Sequence, residues 1–95
     1  MQGRKIIKHF GPEAQKIKSQ EEAGEFIVAM AKFINCPNKT TKLHVEEEAV
    51  DLLIMLEQVF IILGTKKSTI ELQKEYKLNR TCERINNEKK MDSLC

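Results

Sequence analysis

"EEEAVDLLIMLEQ", Glu46 to Gln58, runs three adjacent acids into an apolar segment with Asp51 at the join. Leu52, Leu53, Ile54, Met55 and Leu56 follow without a polar break. At about 100° per residue a helix carries such a run on every face, and a helix apolar all round is buried on all sides. Strict alternation is absent and no hairpin turn signal flanks the run, so a strand is excluded. A chain of 95 residues has too few helices to enclose one of its own. The stretch therefore predicts an all-α antiparallel helical bundle of about four helices, with subunits packing through this central apolar helix.

Working outward, the helix is expected from about Lys42 to Leu63, with Thr40 or Thr41 as N-cap and Gly64 as its stop. The preceding helix is expected from about Glu13 to Ile34. Pro12 suits its first turn, and Cys36-Pro37-Asn38 ends it. Ser19 with Glu22 would start it later as a capping box, but Ala14, Ile17, Glu21 and Glu25 keep helical spacing across Ser19. A short amphipathic helix covers residues 3–9. Ser68 with Glu71 reads as a capping box opening a last helix to about Asn86, and residues 87–95 read as a frayed tail. The whole is expected to be one domain, residues 1–95.

Composition narrows the function. Hydrophobic residues make up 41% and charged residues 32%, with two prolines. That profile is helix-rich, neither disordered nor collagen-like. Four phenylalanines, one tyrosine and no tryptophan argue against a stacking platform for single strands. Net charge is +2, but it is unevenly spread. Leu43 to Gly64 holds five acids and no lysine or arginine; Lys66 to Lys90 holds eight bases and four acids. A duplex-binding helix would be more one-sided than this basic end, so nucleic acid is not an expected partner. Asp51, Glu57 and Gln58 interrupt the longest apolar stretch, which argues against a membrane span. Cys36, Cys82 and Cys95 are odd in number and lack metal-site spacing. They read as free thiols in a reducing cytosol, Cys82 as a buried or half-buried one. No signal peptide is visible, so a cytoplasmic protein is expected. Met30 and Met55 read as core packing, His9 and His44 as surface or helix-start residues.

The acids carry the chemistry. Glu21-Glu22-x-x-Glu25 in the second helix matches Glu47-Glu48-x-x-Asp51 in the third, position for position, at one constant offset. Residues three or four apart share a helix face, and like charges there cost roughly 0.2–0.5 kcal/mol per pair. Each cluster also enters an apolar run, where desolvation adds a larger cost. A bound cation removes both penalties. Oxygen ligands without His or Cys suit Mg²⁺ or Mn²⁺. Because the clusters lie in the first part of each expected helix, they meet only if the packing is staggered or crossed. The competing reading is a pair of solvated acidic faces.

"QEEAGEFIVAMAKF" followed by "VEEEAVDLLIMLEQVFIILG" resembles the MazG-like all-α nucleoside triphosphate pyrophosphohydrolases, in particular their short phage and bacterial forms. The family mark is Glu-x-x-Glu, a gap, then Glu-x-x-Asp, here Glu22, Glu25, Glu48 and Asp51. "GPEAQ" and "EYKLNRTCERI" extend the likeness over roughly residues 8–86. The resemblance implies a dimeric or tetrameric helical bundle. It implies Mg²⁺-dependent cleavage of a nucleoside triphosphate between its α- and β-phosphates, for nucleotide-pool control or house-cleaning. By motif position, Glu22, Glu25, Glu48 and Asp51 would be the metal ligands. Glu21 or Glu47 would orient the attacking water. Lys32, Lys77 and Arg80 would be phosphate contacts. The rival readings are a non-enzymatic nucleotide- or protein-binding relative and, among enzymes, a phosphoribosyl-ATP pyrophosphohydrolase.

Overall fold

The computed structural model describes residues 2–94, with side chains through residue 92. Four helices follow one another: α1 (Gln2–Phe10), α2 (Pro12–Asn35), α3 (Lys39–Leu63) and α4 (Lys67–Leu94). No strand occurs among the described residues, so the fold is all-α. The chain divides into two compact units, one ending at Gly64 and one beginning at Thr65.

Each boundary has a local cause. Gly11, at φ 94° and ψ 149°, separates α1 from α2. Its N–H donates to Ile7 O at 2.8 Å, and its carbonyl accepts from Gln15 N at 3.2 Å. One residue thus closes one helix and opens the next, at a φ that a side chain disfavours. Pro12 then occupies the first turn of α2, where its missing N–H costs nothing. Ser19 lies within α2, its hydroxyl turned back to Lys16 O at 2.6 Å.

Helix α3 begins three residues earlier than the sequence suggests. Its N-cap is Asn38, not Thr40 or Thr41. Asn38 Oδ1 accepts from Thr41 N at 3.0 Å, and Thr41 Oγ1 accepts from Asn38 N at 3.1 Å. This reciprocal pair satisfies two backbone donors together. Thr41 also donates to Cys36 O at 2.9 Å, tying the cap to the end of α2. Gly64, at φ 68°, ends α3 as expected, its N–H on Ile61 O at 3.0 Å.

Helix α4 runs through Leu94, so the tail expected to fray from residue 87 is helical to that point. Glu88, Lys89, Lys90 and Met91 are good helix formers and carry the helix past Asn86 and Asn87. Cys95 lies outside the described residues. Ser68 sits inside α4 and not at its cap. Cys82 is exposed, not half-buried: α4 exposes every residue from Glu71 to Asp92, so its apolar positions provide no interior for a thiol.

In the first unit α2 packs chiefly on α3, and α1 lies against both. The core is thin. Ala29 and Met55 are its buried apolar residues; Gln15, Glu22 and Gln58 are its buried polar ones. A Cβ on Gly3 would stand 3.2 Å from Ile61 Cδ1, so a glycine is what lets α1 approach α3 closely. The expectation that α3 is buried on all sides is not met within one chain: Leu53 is 58% exposed and Leu63 67%. Two partner helices cover only one side of a helix that is apolar all round.

Candidate metal centre

The three-residue connection 36–38 makes α2 and α3 an antiparallel hairpin. Residues equally distant from Pro37 therefore stand roughly level. Glu25 is 12 residues before Pro37 and Glu48 is 11 after it. Glu22 stands one turn further along α2. The clusters lie near the middle of both helices, because α3 begins at Lys39 and α2 at Pro12. A plain hairpin then suffices, and the expected stagger or crossing is unnecessary.

Glu22, Glu25 and Glu48 each offer a carboxylate oxygen, and these oxygens all lie within 4.8 Å of one another. Asp51 falls outside that group. It is exposed and borders two small depressions of about 320 Å³, one with Lys18, Glu22, Ile54 and Met55, the other with Glu46, Glu47 and Val50. The structure thus gathers three of the four acids and places the fourth beside Glu22.

Burial separates the three further. Glu22 is 8% exposed and Glu48 is half-buried, whereas Glu25 is exposed. Glu22 Oε2 and Glu48 Oε2 are both buried without a hydrogen-bond partner. Buried polar atoms are nearly always paired, and an unpaired carboxylate oxygen is especially costly. Two such oxygens, from facing helices and beside a third carboxylate, fit a hard divalent cation.

The opposite oxygens are occupied. Lys18 Nζ lies 3.5 Å from Glu22 Oε1, and His44 Nε2 lies 3.3 Å from Glu48 Oε1. His44, in the second turn of α3, is therefore a half-buried neighbour of the acids. Sequence reasoning placed His44 at the surface or a helix start and passed over Lys18. The available signal is that each stands four residues before its acid, one turn away on the same face. A depression of about 670 Å³ opens beside the trio, lined by Glu21, Gly24, Glu25, Val28, His44 and Glu48. Gly24 leaves that mouth open, with nothing within 4 Å of where its Cβ would be.

Of the two acids expected to orient water, Glu21 borders this depression. Glu47 borders the other one, with Asp51. Lys32 is exposed on α2, two turns past Glu25. Lys77 and Arg80 are exposed on α4, in the second unit, with Arg80 Cζ 5.6 Å from the Tyr76 ring centre. No described helix is long and apolar enough to cross a membrane. Comparison of the chain with protein-family models, with curated proteins and with solved structures finds no match.

Proposed function

We propose that the protein is a Mg²⁺-dependent nucleoside triphosphate pyrophosphohydrolase acting between the α- and β-phosphates. The observation that carries the reading is the pair of buried, unpartnered oxygens, Glu22 Oε2 and Glu48 Oε2, with Glu25 beside them. Acids that merely decorated a solvated face would not leave two oxygens buried and unpaired.

Glu22, Glu25 and Glu48 would hold Mg²⁺ or Mn²⁺, with Asp51 one turn from Glu48 and next to Glu22. When bound, the ion neutralises phosphate charge and lowers the pKa of water. Glu21, at the mouth of the depression, orients the attacking water and takes up its proton. The water oxygen bonds to phosphorus as the bridging P–O bond breaks, releasing a monophosphate and pyrophosphate. No covalent intermediate is needed, and no Ser–His or Cys–His pair is part of the site.

A second copy of the chain is the partner that the exposed face of α3 calls for. Leu53, Ile54, Leu56, Phe60 and Leu63 are between 38% and 67% exposed, an apolar row of the kind that marks an interaction surface. Light scattering at micromolar concentration should give a dimer or tetramer; a monomeric mass refutes this part. For the activity, the protein is incubated with Mg²⁺ and a panel of canonical and modified triphosphates, and pyrophosphate release is followed. Folded, metal-loaded protein that releases none from any of them refutes the reading.

A further inference from the structure

Glu22 and Glu48, each with one buried oxygen, are held alike. In each, a base four residues earlier contacts Oε1, and Oε2 is left unpartnered. The bases repeat the offset of the acids: Lys18 is to His44 as Glu22 is to Glu48. Around the acids, then, the hairpin matches itself in holding groups as well as in ligands. The two holders differ in kind. A histidine can donate from Nε2 without carrying a charge. A lysine ammonium is a cation, 3.5 Å from an oxygen of the carboxylate that would bind the metal.

We propose that Lys18 and His44 are a matched pair of positioning residues for the metal-binding carboxylates, with opposite effects on affinity. His44 fixes the orientation of Glu48, so that Oε2 faces the centre whether or not an ion is present. Lys18 stands in for the ion: it offsets the charge of Glu22 in the empty centre and opposes a divalent cation entering it, because like charges this close repel strongly where water is partly excluded. Groups that orient a ligating carboxylate are worth about 10–100-fold in metal affinity. His44 belongs to that class; Lys18 combines orientation with repulsion, and repulsion prevails. The Lys18 side chain is half exposed, so it can turn away from Glu22 toward a phosphate once the ion is in place.

This inference rests on the metal reading, and its test separates the two. Mn²⁺ is titrated into the full chain and free Mn²⁺ is followed by electron paramagnetic resonance, with helicity checked by circular dichroism. His44→Ala should weaken binding about 10-fold or more, and His44→Gln, which keeps an amide donor of similar reach, should restore most of it. Lys18→Met should tighten binding several-fold, and Lys18→Arg should return it to the wild-type value. Should His44→Ala fail to fold, His44→Gln is compared with the shorter His44→Asn, which should bind more weakly. If the wild type binds Mn²⁺ but the His44 variants match it, or Lys18→Met weakens binding or leaves it unchanged, the inference falls and the metal reading stands. If the wild type binds no Mn²⁺, both fall.

Discussion

Two polar pairs lie between α2 and α3, and they are built in opposite ways. Gln15 Nε2 donates to Gln58 Oε1 at 2.7 Å, with both residues at least nine-tenths buried. Glu22 and Glu48 face one another across the same hairpin, and each keeps one oxygen without a partner. The amide pair is complete: donor meets acceptor, and the net gain is modest but real. The carboxylate pair is incomplete, since two acceptors cannot satisfy each other. The contrast sets one pair apart as structure and the other as the proposed ligand site.

The largest effect should come from breaking the incomplete pair. Glu48→Gln keeps the shape and removes a ligand charge. Pyrophosphate release should fall by more than the roughly 10–100-fold that outer partners of a metal site typically cost, with helicity retained. Activity near wild type would remove Glu48 from the centre. Supplying the missing partner should show next in stability. At Mg²⁺ about 100 times its dissociation constant, the wild type should gain about 2.7 kcal/mol in unfolding free energy, read from the urea midpoint. The double variant Glu22→Gln, Glu48→Gln should gain nothing. Equal gains in both proteins would place the ion elsewhere.

The complete pair should respond in the reverse sense. Gln58→Ala leaves the Gln15 amide buried without its acceptor, a loss of about 1–3 kcal/mol, with or without Mg²⁺. Replacing both glutamines by Met removes donor and acceptor together and should be close to neutral. A double variant as unstable as the single one would show that packing at these positions, and not hydrogen bonding, is what matters.

How legible this was from sequence differs between the pairs. The acidic clusters could be read because two like motifs, each entering an apolar run, are unusual; Glu22, Glu25 and Glu48 were expected together and lie together. The separation of Asp51 from that group could not be read, since it depends on how the hairpin rotates each helix about its axis. The Gln15–Gln58 bond joins residues 43 apart, and nothing local to either announces it. His44 and Lys18 were obscured because a base four residues before an acid is also the commonest surface pair on a helix. Gly64 and the Gly11-Pro12 break were plain, since each rests on a backbone geometry that few residues share. The cap at Asn38 is hard to read from sequence because three positions within four residues, Asn38, Thr40 and Thr41, all offer capping side chains. The choice between them is made by the reciprocal bond to Thr41. The full extent of α4 is not legible from sequence because the end of a chain commonly frays, although neither Asn86 nor Asn87 bars a helix as proline does.

The smallest effect is also the one that separates the pairs most directly. Without metal, Glu22→Gln removes one of three clustered carboxylates. It relieves like-charge repulsion of a few tenths of a kcal/mol per neighbour and replaces a buried charge by a buried amide, which is cheaper to desolvate. Against this it loses the contact with the half-exposed Lys18, worth at most about 0.2–1 kcal/mol. The relief should win by a small margin, raising the metal-free urea midpoint by the equivalent of about 0.5 kcal/mol. At saturating Mg²⁺ the order should invert, with the wild type the more stable, because only it gains the ion. A residue whose replacement stabilises the empty protein and destabilises the loaded one is strained for a ligand. Gln58 should show no such inversion. If Glu22→Gln instead lowers the metal-free midpoint, Glu22 is held by Lys18 as an ordinary buried ion pair, and the contrast between the two pairs is lost.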